Sequence, residues 1–213
     1  MSLLVLGLSH HNAPLDLLER ISLDASGRRD LAHAIAGSEH VREVVVVSTC
    51  NRTEVYAEAA TFHGAIADIT DALSGQSGLP RADLTERLGV HYEDGAIAHT
   101  FRVASGLDSM ALGENQIRAQ LRVSLHEAQA AGLTGSSLNQ LFQQVAESTT
   151  SQQRFLANAA HQLRTPLAGL QAQVGLLATE PLPPSARARV AEVQASVHRL
   201  SHLTQQMLSL ARA

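Results

Sequence analysis

Val44-Val45-Val46-Val47-Ser48-Thr49-Cys50-Asn51-Arg52-Thr53-Glu54-Val55-Tyr56-Ala57-Glu58-Ala59 decides how the first two-thirds of this chain folds. An unbroken valine run reads as a strand buried on both faces, and the alternation from Thr53 to Ala59 reads as the strand that follows it. The thiol of Cys50 therefore stands where a buried strand runs out and turns, a position from which side chains face a cleft. Arg52, two residues on, can lower a thiol pKa and hold a carboxylate. The residues alone leave a second reading open, because free cysteine is among the most buried residue types and is often inert. The polar sequence that follows Cys50 favours the reactive reading.

Working outward, residues 3–8 form an apolar run that reads as a buried strand, and residues 88–91 read as a further short one. Leu31, Ala32, Ile35 and Ala36 have helical spacing, as do Ile66, Ile69 and Leu73. The order is βαββαβ, a split βαβ sheet of ferredoxin-like type, in the α+β class. Two added helices are predicted, one over residues 94–105 with Ile97, Phe101 and Ala104 inward, and one over residues 115–131. Gly132 and Gly135 then make a helix–helix turn.

Hydrophobic period and charge both change near residue 146. Ten Arg oppose seventeen Asp and Glu up to that point, and six oppose three after it. All basic residues are Arg, and no basic stripe marks a strong nucleic-acid site by itself. The chain thus reads as two modules, residues 1–144 and 145–213. In the second, Phe155, Ala159, Leu163, Leu167, Leu170, Val174 and Leu177 recur at helical intervals, and Pro181, Pro183 and Pro184 break the pattern. Val190, Val193, Val197, Leu200, Thr204 and Met207 follow at spacings of three and four, a coiled-coil seam. Two such helices form an all-α hairpin too small to bury both stripes, which predicts pairing of two copies into a four-helix bundle through residues 155–210.

Composition narrows the function classes. The chain has 213 residues, 45% of them hydrophobic, no Trp and a single Cys. One thiol closes no internal disulfide and builds no Cys-rich zinc cage, so no metal site is expected and Cys50 reads as a free thiol of a cytoplasmic protein. No apolar stretch approaches the roughly 20 residues of a membrane span, and the N-terminus lacks the features of a signal peptide.

Three stretches in order, Ser48-Thr49-Cys50-Asn51-Arg52-Thr53-Glu54-Val55-Tyr56, Val103-Ala104-Ser105-Gly106-Leu107-Asp108-Ser109-Met110 and Leu112-Gly113-Glu114-Asn115-Gln116-Ile117, resemble the glutamyl-tRNA reductases. The opening Gly7-Leu8-Ser9-His10 agrees with that family's start. The resemblance implies that Cys50 attacks the aminoacyl ester of glutamyl-tRNA to give a thioester, which NADPH reduces to glutamate-1-semialdehyde on the route to tetrapyrroles. It makes His99 a catalytic assistant, gives Thr49 and Arg52 the glutamyl group to hold, and adds Ser109, Glu114, Gln116 and Gln120 to the substrate pocket. Asn115 stands where the family more often has proline. No Gly-x-Gly-x-x-Gly fingerprint follows residue 144, so the expectation is that these residues bind no cofactor, NADPH included, and do not complete the reduction.

Phe155-Leu156-Ala157-Asn158-Ala159-Ala160-His161-Gln162-Leu163-Arg164-Thr165-Pro166-Leu167 resembles the H-box of histidine kinase dimerisation and phosphoacceptor domains. That resemblance implies that His161 accepts a phosphoryl group, that Thr165 contributes to its removal, and that a response regulator or a kinase ATP-binding domain acts in trans. Gln162 replaces a more common acidic residue. Three function classes follow: a glutamyl-tRNA reductase catalytic domain, a signalling phosphoacceptor, and a dimer scaffold without activity.

Overall fold

The computed structural model describes residues 2–108 and 116–212, with side chains through Gln206. The chain divides into two compact units, Met1–Glu147 and Ser148–Ala213.

The first unit opens with β1 (Ser2–Ser9), α1 (Leu15–Ile21) and α2 (Ala25–Ala36). Asp24 starts α2 by accepting a hydrogen bond from the Gly27 backbone N–H at 2.8 Å, which satisfies one of the orphan donors of the first turn. The hairpin β2 (Val41–Thr49) and β3 (Arg52–Ala59) follows, then α3 (Phe62–Ser77), α4 (Arg81–Thr85), β4 (Gly89–Tyr92) and α5 (Asp94–Ala104). Beyond residue 115 come α6 (Gln116–Ala130) and α7 (Ser136–Thr179). The α1 helix was not legible as an element in the sequence. It places Leu18 and Ile21, one turn apart, into the core.

The strands lie in the order β2-β3-β1-β4, and every pairing is antiparallel. Helices cover both faces. On one, Leu4, Leu6, Leu8, Val44, Val46, Val55 and Ala57 meet Leu18, Leu31, Ile35, Ile69 and Leu73. On the other, Val5, Val45, Val47 and Tyr56 meet Val103, Leu121, Leu138 and Phe142. The valine run of β2 is therefore buried on alternate sides, as its composition predicts. Gly7 of β1 pairs with Glu54 of β3, and a Cβ there would lie 2.7 Å from Glu54 Cα, so only glycine permits this approach.

Glu43, at a register shift between β2 and β3, accepts the backbone N–H groups of Ser137 at 3.1 Å and Leu138 at 2.8 Å and so caps α7. Burial pushes its pKa upward, but the backbone donors of Leu138, Gly135 and Ser137 outweigh this and hold it below the ordinary glutamate value.

In the second unit, α7 runs through Pro166 to Thr179 and α8 spans Pro184–Arg212, with the break where the prolines predict it. Ala160, Val174, Val197 and Thr204 are buried, and Gln171 bonds Ser201 at 2.8 Å. The predicted seam splits: Val197 is buried, whereas Val193 and Leu200 are exposed together with Leu203, Leu163 and Leu170. Positions 193 and 197 are four apart but fall on different flanks of the helix, because four residues overshoot one turn of 3.6. The Met207 side chain lies outside the described residues. No helix among the described residues is long and apolar enough to cross a membrane.

Candidate active site

The turn between β2 and β3 consists of Cys50 and Asn51. Thr49 shapes it by accepting the Asn51 backbone N–H on its hydroxyl at 3.1 Å, a local alternative to the strand ladder. Behind the turn, Ser48 Oγ and Thr53 Oγ1 share a hydrogen bond at 2.8 Å. Leu23 N–H donates to Ser48 and Thr53 donates to the Ile21 carbonyl, which ties the hairpin end to the segment between α1 and α2. The hairpin end is thus anchored from beneath, and the Cys50 thiol is free and exposed. That observation disfavours the buried, inert reading of this cysteine. A recess beside it is lined by Thr49, Cys50, Asn51, Arg52, Gln116, Ile117 and Gln120, so α6 brings its first turns to the thiol.

Arg52, Glu54 and Tyr56 alternate along β3 and share the face covered by α5, α6 and the start of α7. Arg52 is only 2% exposed. Its Nη1 donates to Glu54 Oε1 at 3.0 Å and to Asp108 Oδ2 at 3.1 Å, and its Nη2 donates to the Asp108 carbonyl. The sequence predicted a cation beside the thiol; the structure balances that cation with two carboxylates, since an unpaired guanidinium this deep would be too costly.

Glu54 also takes His99 Nε2 on Oε1 at 2.9 Å and the Tyr56 hydroxyl on Oε2 at 2.7 Å. Burial acts to raise its pKa, but the His99 bond, the Arg52 charge and the Tyr56 bond together hold it below the ordinary glutamate value. The Tyr56 hydroxyl is pushed the other way, well above the ordinary tyrosine value, by burial and then by the Glu54 charge beside it. His99 is buried on α5, its ring stacked on His91 of β4 at 3.9 Å and 12°, with Arg102 Nη2 at 3.5 Å from its Nδ1. At the other end, Asp108 Oδ1 meets His11 Nε2 at 3.1 Å. Burial raises the Asp108 pKa, but Arg52, first by charge and then by its bond, holds it low.

The predicted site residues Cys50, Thr49, Arg52, Gln116 and Gln120 line one recess, and His99 joins it through Glu54. Ser109 and Glu114 lie outside the described residues. Sequence reasoning missed Glu54, Tyr56, Asp108, His91, His10 and His11. The period-two spacing of residues 52, 54 and 56 on one strand face could have revealed the first two. In the second unit, His161 and Thr165 are exposed on α7.

The family cofactor, NADPH, finds no matching cradle among the described residues. Dinucleotides bind at strand-to-helix turns of parallel sheets. Here every strand pairing is antiparallel, and the positive-φ glycines Gly78, Gly106 and Gly132 follow helices instead of opening them.

Fold and site together define a two-layered problem of descent: an α+β domain built around an exposed thiol, with a helical hairpin after it. Residues 6–153 match the family described as Glutamyl-tRNAGlu reductase, N-terminal domain, and residues 151–213 match the His Kinase A (phospho-acceptor) domain. Glutamyl-tRNA reductase of Frankia casuarinae is 52% identical over 143 residues, which cover 67% of this chain and 30% of that protein. Glutamyl-tRNA reductase 1 of a Nocardioides species is 46% identical over 144 residues, covering 68% of this chain and 34% of that protein. The solved Glutamyl-tRNA Reductase from Methanopyrus kandleri superposes with a TM-score of 0.54 at 25% identity, covering 78% of this chain and 40% of that one. The chain belongs to the glutamyl-tRNA reductase family through its N-terminal domain, joined to a His Kinase A segment, and spans about 30% of the Frankia relative's length.

Proposed function

We propose that residues 2–147 are the thioester-forming domain of a glutamyl-tRNA reductase. The observation that carries this reading is the exposed Cys50 thiol, presented on an anchored turn into a recess that Thr49, Arg52, Gln116 and Gln120 line. Cys50 Sγ attacks the carbonyl of the glutamyl ester, the Sγ–C bond forms, and the tRNA ribose oxygen leaves. Thr49, Gln116 and Gln120 orient the glutamyl group by neutral hydrogen bonds. The glutamyl carboxylate competes with Asp108 for Arg52, because Asp108 already accepts from that guanidinium. His99 and Tyr56 fix the Glu54 carboxylate, and Glu54 in turn holds Arg52 in place. The antiparallel order β2-β3-β1-β4 supports reading the sheet as a split βαβ of ferredoxin-like type. The test is acylation of the intact chain: glutamyl-tRNA should transfer glutamate to the protein in a form cleaved by hydroxylamine. Persistence of the adduct in Cys50→Ala would contradict the assignment.

For the second unit, the exposed apolar side chains Val193, Leu200 and Leu203 on α8, with Leu163 and Leu170 on α7, favour pairing of two hairpins into a four-helix bundle. His161 on α7 would then accept a phosphoryl group from an ATP-binding kinase domain in trans and pass it to a response regulator. Incubation with such a kinase domain and labelled ATP should label wild type and leave His161→Ala unlabelled; equal labelling of both would refute it.

A further inference from the structure

His10 stands just past β1, against the turn that carries Cys50. Its backbone N–H donates to the Asn51 carbonyl at 3.0 Å, and the preceding residue, Ser9, pairs with Arg52. Its ring lies 3.9 Å from that of His11, whose Nε2 meets Asp108, the carboxylate that also takes Arg52. One buried side-chain atom of this set is left over. His10 Nδ1 is buried and has no hydrogen-bond partner among the described residues. Buried polar atoms are nearly always paired, so an open imidazole nitrogen on the residue bonded to the Cys50 turn points to a partner that arrives with the substrate.

His99 is poorly placed for the same task, since Glu54 holds its Nε2 and Arg102 approaches its Nδ1. Its ring is also covered by His91. Both of its nitrogens are engaged, whereas His10 Nδ1 is open.

We propose that His10 is a further catalytic residue of the Cys50 site: its Nδ1 takes the Sγ proton as the thiol attacks the aminoacyl ester and returns it to the departing ribose oxygen. The step balances without oxidant or reductant. The Sγ–C bond forms, the ester C–O bond breaks with its electron pair on the ribose oxygen, and the proton that left Sγ ends there, giving thioester and free hydroxyl. Burial first, then the charges of His11 and Arg52, hold the His10 pKa below the ordinary histidine value, against the opposing pull of Asp108 and the Asn51 backbone. That direction favours the neutral ring, the form a general base needs. These groups are the polar surroundings that set its titration.

The inference rests on Cys50 being the acyl acceptor, and the experiment separates the two. Single-turnover thioester formation from glutamyl-tRNA is followed from pH 5 to 8 in the full chain, wild type and His10→Gln. The expected result is a wild-type rate that falls on the acid side with a midpoint below the ordinary histidine value of about 6.5. In His10→Gln the rate should drop roughly 100-fold or more and lose that acid limb. Alkylation of Cys50 by iodoacetamide at pH 9 should be equal in the two proteins and show that the turn is intact. Equal thioester rates with the same acid limb overturn the role of His10. Absence of an acid limb in the wild type overturns it independently of any variant. A wild type that forms no thioester but alkylates normally overturns the Cys50 reading, and this inference with it.

Discussion

Replacing Glu54 with alanine removes the acceptor of three buried hydrogen bonds, from Arg52 at 3.0 Å, His99 at 2.9 Å and the Tyr56 hydroxyl at 2.7 Å. Breaking a buried ion pair by deleting one partner costs about 3–5 kcal/mol, because the other charge is stranded. Arg52 keeps Asp108 as a second partner, which places the expected loss at the low end, about 3 kcal/mol. At roughly 2–4 °C per kcal/mol for a domain of this size, the melting temperature of the first unit should fall by about 6–12 °C. Urea unfolding followed by circular dichroism and by tyrosine emission measures it, since the chain has no Trp and buries Tyr56. Glu54→Gln keeps the volume but loses the charge and should cost less than alanine. The folded-state pKa of Glu54 is depressed, so its stabilisation is present above the unfolded value of about 4.3 and is lost as pH falls through the folded value. Wild type and Glu54→Gln should accordingly converge in stability on acidification below about pH 4. A loss under about 1 kcal/mol for alanine, the range of a surface pair, would refute the reasoning that this network holds Arg52 in place.

Four further outcomes follow from the packing. Gly7→Ala forces a Cβ to 2.7 Å from Glu54 Cα and should destabilise the sheet by at least the 1–3 kcal/mol typical of overpacking, read by urea unfolding; a neutral effect would contradict the β1–β3 register. Glu43→Ala strips the acceptor of the Ser137 and Leu138 N–H groups and should cost about 1–2 kcal/mol in the same assay, whereas an unchanged midpoint would show that α7 needs no cap. Leu200→Asp with Leu203→Asp should turn a dimeric protein into monomers by light scattering while leaving helical content unchanged, because both side chains are exposed in the hairpin. Val197→Asp, buried within the hairpin, should instead unfold that unit.

The strands of the hairpin were legible because valine in an unbroken run at residues 44–47 has to be buried on both sides, and helices do cover both faces. The short α1 helix was not, because seven residues that bury only Leu18 and Ile21 are too few for a periodic signal. The place of Cys50 at a strand end could be read from the residues, and the identity of its neighbours from three long motifs. Of the partners of Arg52, Glu54 lay within reach of the period-two pattern and Asp108 did not. Asp108 and His11 come together across 97 residues of chain, and only the closed sheet sets β1 beside β3 so that they meet. The division of the α8 stripe was not legible for a related reason: spacings of three and four mark one stripe, but they do not say which of its flanks a partner helix takes. Val197 went inward and Leu200 outward.

The central claim is that Cys50 is the acyl acceptor, and peptide mapping tests it most directly. After brief exposure of the full chain to glutamyl-tRNA and acid quenching, cleavage at arginine yields the peptide of residues 43–52, which holds the chain's single cysteine. The account predicts that glutamate is found on this peptide, attached at Cys50 and released by hydroxylamine. Glutamate recovered on any other peptide, or an unmodified Cys50 peptide from a protein whose thiol alkylates normally, would contradict it.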